Sequence, residues 1–160
     1  GTARNLTYAG VISALEAFLH ETMWYWVSNK PEVIESIITS HPKFKERRVP
    51  LGAIYEVHAT LEKQVKSDLR KVVWHRVDEA SSFFKHGFQL EIGLHRFNDE
   101  LSIRHDIIHR FSEDSNGDPV VISDEDVRSL ADKVVEFANE VDEKIAAIFA
   151  PDSEDEPIDF

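Results

Sequence analysis

A chain of 160 residues, 42% apolar and 30% charged, fits one folded domain able to bury a real core. The absence of cysteine excludes disulfides, thiolate metal sites and cysteine nucleophiles, and it suits a reducing, cytoplasmic setting. The net charge of -12 argues against a uniformly basic nucleic-acid binder, but residues 113–160 carry -13 of it and residues 1–112 carry +1, with all eight histidines before residue 110; local basic patches therefore decide the question.

No apolar run approaches the roughly 18 residues of a membrane span, and no secretory pattern opens the chain. A start at Gly1 in place of methionine is expected of one domain of a longer product.

In chain order, apolar residues first recur at helical spacing from Arg4 to Val27, with Leu6, Val11, Leu15, Phe18, Leu19, Thr22 and Trp26 on one broad stripe. Asn29-Lys30-Pro31 stops this helix, and Pro31 opens a second, over 31–40, carrying Val33, Ile34, Ile37 and Ile38. His41-Pro42 ends it, because a residue before proline is pushed out of the α region. Residues 43–51 read as basic and irregular. A long third helix is expected over 53–77, with Ile54, Val57, Leu61, Val65, Leu69, Val72 and Val73 as its apolar face. Gly87 should break or kink the next stretch, and a fourth helix should run over 88–111. Residues 112–122 form a loop around the Asn116-Gly117 turn, and Ser123 with Asp126 makes a capping box for a last helix over 124–149. The acidic residues after 149 should be a disordered tail. The expected architecture is all-α, a bundle of four to five main helices over 1–149.

The chemistry is concentrated in Arg104-His105-Asp106-Ile107-Ile108-His109. Arg104 and His109 stand five positions apart, about 140° around a helix, so they do not share a face unless the long arginine swings round. His109 falls in the last turn, where the negative end of the helix dipole favours imidazolium. Such a histidine beside a phosphodiester is suited to general acid or base work, with the arginine neutralising phosphoryl charge. Surface pairs of this kind are also common without any activity.

Two other readings of the segment stay open. His105 and His109, at i and i+4, share a face as in His-Glu-x-x-His metal sites, but the acid is the shorter Asp106 and no histidine follows His109. Glu16 sits in an apolar run of the first helix; if it points inward it needs a cation, and Arg104 is one candidate.

A basic-aromatic cluster of Arg70, Lys71, Trp74, His75 and Arg76 is expected on the third helix, with His95 and Arg96 on the fourth and Arg110 after the motif. These groups suit either an ordinary solvated surface or an RNA groove with Trp74 or Phe97 stacking on a base. Trp24-Tyr25-Trp26 reads as core or a dimer interface.

Three segments together resemble the HEPN family (higher eukaryotes and prokaryotes nucleotide-binding), and within it the ribonuclease-like RiboL-PSP group. They are Ala3 to Leu19, the Arg104 to Arg110 segment matching an Arg-x4–6-His motif, and Asn116-Gly117-Asp118 followed by Val121-Ile122-Ser123 and the final helix. The resemblance spans the chain to about residue 149. It implies a metal-independent endoribonuclease needing no cofactor, on a helical bundle that dimerises so that two motifs face one composite cleft. Arg104 and His109 would be the catalytic pair; His105, Asp106 and Glu16 are supporting candidates from the residues themselves. His109 would assist 2′-hydroxyl attack on phosphorus, leaving a 2′,3′-cyclic phosphate, and Arg104 would stabilise the developing charge. Toxin–antitoxin and phage-defence settings, with an antitoxin or partner domain, are implied too, as are non-catalytic RNA-, nucleotide- or protein-binding members. His105 departs from the small polar residue, often Asn, that follows the arginine in many members.

Overall fold

The computed structural model describes residues 1–151. Among them are seven helices and no strand: α1 (Thr2–Asn29), α2 (Pro31–Ser40), α3 (Pro42–Lys45), α4 (Ile54–Leu69), α5 (Val77–Phe88), α6 (Asn98–His109) and α7 (Asp124–Ile148). The tail expected beyond 149 lies almost wholly outside the described residues. No helix among them is long and apolar enough to cross a membrane.

α1 is the central post, contacted by α2, α4, α5, α6 and α7. Its buried face is Tyr8, Ala9, Ile12, Leu15, Leu19, Met23 and Val27, displaced from the expected stripe at both ends, and Leu6 is 58% exposed. The helix is apolar on several sides, so periodicity alone could not choose which side faces inward. α7 runs parallel to α1: Arg4 pairs with Asp124 at one end (2.6 Å) and Trp26 stacks on Phe149 at the other (4.5 Å). α6 runs antiparallel to α1, with Arg104 against Glu16 and Phe111 on the same depression as Leu6.

The expected helix over 53–77 is shorter. α4 ends at Leu69, and residues 70–76 are a turn-rich connection. Val72 and Trp74 are both 7% exposed. Residues two apart lie about 200° apart on a helix and could not both enter one core, so burying the Trp74 ring against Phe83 and Phe84 unwinds the chain.

Gly87 does not break the next element either. It lies inside α5, against Val33 and Ile37 of α2. The break comes later, at Gln89 (φ 51°) and Gly93 (φ 69°), whose left-handed backbones reverse the chain. A 3-10 turn, Leu94–Phe97, leads into α6, so the fourth expected helix starts ten residues late. That division, with the shortening of α4, gives six helices of ten residues or more in place of four to five.

The 112–122 loop is as the turn residues require. Asp114 Oδ1 accepts the N–H groups of Asn116 (2.8 Å) and Asp118 (3.0 Å), and Gly117 takes φ 84°. These donors hold the Asp114 carboxyl below its usual range. Ser123 and Asp126 form the reciprocal capping box at the start of α7.

Candidate functional site at the end of α6

His109 is the last residue of α6, at the helix end where the sequence placed it. Its exposed ring lies against exposed His105, centroids 4.8 Å apart. Asp106, on the same turn, pairs with Arg110 at 3.1 Å, and its carbonyl accepts the N–H groups of Arg110 and Ser112. This knits the helix end to the following loop. Among the described residues no third histidine or carboxylate joins His105 and His109 into a metal-ligating group.

Arg104 is turned to another partner. Its Nη2 lies 3.7 Å from Glu16 Oε1, and the side chains are 18% and 22% exposed. Glu16 Oε2 in turn lies 3.3 Å from His75 Nδ1. The two buried atoms Arg104 Nε and Glu16 Oε1 have no hydrogen-bond partner, so the arginine keeps unused donor capacity. Among the described residues no hydrogen bond joins Arg104 to His109. The helix angle that separates them is not bridged within one chain.

The rest of the basic-aromatic cluster divides. His75, Arg76 and His95 are gathered around one open depression of about 590 Å³, shared with Asp78, Glu79 and Asn98. Arg70 instead covers the Trp24 ring (4.8 Å), and Lys71 lies 3.9 Å from Asp68. Arg96 is committed to Glu140 through two hydrogen bonds, 2.9 and 3.3 Å, and holds that carboxyl down at about 2. Trp74 and Phe97 are core residues, 7% and 0% exposed, so neither ring face is open to a base, contrary to the sequence expectation. Trp26 is half-buried against Phe88 and Phe149, while Tyr25 is 57% exposed.

Phe111 was not anticipated. It lies two residues beyond His109, is 95% exposed, and has φ 54°, followed by Ser112 at φ 66°. A left-handed aromatic residue is strained. The strain is held by Ser112 N–H to Asp106 C=O and Val120 N–H to Ser112 C=O. With Leu6 and Val121, 58% and 81% exposed, Phe111 lines an apolar depression of about 570 Å³. The only sequence signal was an aromatic residue placed after the helix end and before a polar loop.

Comparison of the chain with family models, with curated proteins and with solved structures finds no match.

Proposed function

We propose that this protein is a metal-independent endoribonuclease of the HEPN type, working as a homodimer. The observation that carries the reading is the exposed His105–His109 pair closing α6, two residues before Phe111, which with Leu6 and Val121 forms a wet apolar surface. An apolar surface of this sort favours association. A second copy packed there brings two such histidine pairs to one cleft, so that one histidine takes the 2′-hydroxyl proton and another protonates the leaving 5′-oxygen. Arg104, held by Glu16 and partly exposed, supplies charge for the phosphoryl oxygens. Exposed His75 and Arg76, reached from Arg104 through Glu16, offer further hydrogen-bond donors to the RNA backbone. A toxin or phage-defence role fits such an activity.

The test is incubation of the purified protein with tRNA, rRNA and mRNA in the presence of EDTA. The expected result is cleavage leaving 2′,3′-cyclic phosphate ends, lost in His109→Ala and in Arg104→Ala. Intact RNA together with undiminished toxicity of His109→Ala on expression overturns the reading.

One observation favours a second reading, a non-catalytic domain binding RNA, nucleotide or a protein. Arg104 is engaged by Glu16 and does not meet His109. Complex formation that survives the Arg104→Ala/His109→Ala double variant, without cleavage, selects it.

A further inference from the structure

α4 is packed along only half its length. Its second half buries Val65 and Leu69, while from Ile54 to Leu61 no residue is fully buried. Ile54, Val57 and Leu61 nevertheless fall at i, i+3 and i+7, one face of a helix. With Ile38 of α2, Phe44 of α3 and Val49 of the connection, that face walls a groove of about 290 Å³. Ile54 and Val49 are 47% and 42% exposed, and Leu51 and Tyr55 on the same stretch are more than four-fifths exposed. So much apolar surface on one short segment is a mark of an interaction site.

The segment entering this groove is the most cationic of an acidic protein, with Lys43, Lys45, Arg47 and Arg48 against Glu46. Arg47 is held by Asp68 (2.9 Å) over the Phe44 ring. Lys43, Lys45 and Arg48 are exposed and have no ion-pair partner among the described residues. Of the carboxylates on α4, Glu62 is paired with Lys66 (2.6 Å) and Asp68 with Arg47 (2.9 Å), leaving Glu56 without an ion-pair partner among the described residues.

We propose that this groove is a docking site for an amphipathic helix of a protein partner, its apolar face in the groove and its acidic flank over Lys43, Lys45 and Arg48. The walls are helices and the 46–50 connection, with no strand among the described residues, which selects helix-in-groove recognition over strand addition. Charge selects the partner's sign. A second copy of this chain meeting the groove isologously would set the same cationic segment against itself. RNA would match the charge, but the groove is lined mainly by aliphatic side chains, its Phe44 ring is buried, and His58 is the one exposed ring on its lining, so it offers no run of stacking faces for successive bases. The site is independent of the α6 chemistry.

The probe is a fluorescein-labelled helical peptide with leucines at i, i+3, i+7 and i+10 and glutamates elsewhere, read by anisotropy on the full chain. Micromolar binding is expected, weakened about tenfold or more by Val49→Asp/Ile54→Asp, by Lys45→Glu/Arg48→Glu, and by raised salt. A peptide with lysines replacing the glutamates should bind at least about tenfold more weakly. The four substituted positions are exposed, and circular dichroism melts check that each variant is folded. Equal affinity for both peptides, or binding indifferent to both double variants, overturns the proposal. So does a dimer that Val49→Asp/Ile54→Asp dissociates, which assigns the groove to a second copy. Lys45- and Arg48-dependent binding of an RNA oligonucleotide that the glutamate peptide cannot displace assigns it to nucleic acid. Tighter peptide binding by Ile158→Ser/Phe160→Ser assigns it to the chain's own end, and either result also overturns the partner helix.

Discussion

Arg104 on α6 and Glu16 on α1 face each other at 3.7 Å, and His75 holds the second carboxylate oxygen at 3.3 Å from a connection 59 residues away in sequence. One carboxylate thus ties together three parts of the bundle. Both members of the Arg104 pair are mostly buried, so removing the charge of one leaves the other poorly compensated. Glu16→Gln is expected to lower stability by about 1–2 kcal/mol in urea unfolding, less than for a fully buried pair because some water reaches both groups. His75→Ala, at the exposed end, should cost well under about 1 kcal/mol. Equal losses in the two variants would mean that burial does not govern this cluster.

On the ribonuclease reading, His109→Ala should reduce RNA cleavage by about 10²–10⁴-fold. Arg104→Ala should reduce it by about 10²–10³-fold. Because Arg104 also meets Glu16, its variant should lose stability as well, whereas His109→Ala, on an exposed ring, should not. Single-turnover cleavage and thermal melts on the same preparations separate the two effects. A His109→Ala variant with full activity would remove the histidine from the mechanism.

Phe111 is strained and wet, so its side chain contributes little to the isolated fold. Phe111→Gly is expected to raise stability by about 0.5–1 kcal/mol, by relieving the left-handed backbone at φ 54°. If a second copy covers this surface, the same change weakens self-association in sedimentation velocity. A destabilised monomer would show that the ring packs more than its 95% exposure allows.

His41 gives the fold a pH dependence. Its ring is buried, stacked on Phe83, and its Nδ1 accepts the Lys43 N–H at the start of α3. Burial first, then His86 and Lys43, lowers its pKa from 6.5 to about 4. The unfolded chain therefore binds this proton more readily than the folded one. The site's contribution is complete above pH 6.5, falls as pH drops through that value, and levels off below about 4. His41→Asn, which keeps a capping acceptor, should flatten the unfolding midpoint across this window. An unchanged slope in urea titrations between these pH values would contradict it.

The two glycines flanking the α5–α6 connection should respond oppositely to alanine. At Gly87 a Cβ would meet Val33 and Ile37 at ordinary contact, 3.5 Å, and the backbone is helical. Gly87→Ala should therefore stabilise by about 0.5–1 kcal/mol. At Gly93 φ is 69° and the Cβ would come within 3.0 Å of the Arg96 side chain, so Gly93→Ala should destabilise by about 1 kcal/mol or more. Paired chemical denaturation curves read the sign directly.

The helical class, the first two helices and their proline boundaries, the Asn116-Gly117 turn, the capping box before α7 and the place of His109 at a helix end were legible in the chain alone. These depend on local chemistry: where φ is restricted, where an N–H lacks a partner, and which residue tolerates a left-handed backbone. Tertiary packing decided the rest. It ended α4 at Leu69 because both Val72 and Trp74 had to enter the core, and it moved the chain reversal from Gly87 to Gln89 and Gly93. It buried Trp74 and Phe97, which composition alone could as well have left on the surface. It also drew Glu16, His75 and Arg104 into one cluster while leaving Arg104 and His109 apart. A side chain's neighbours across 59 or 88 residues depend on how helices cross, and that angle is set by the whole core.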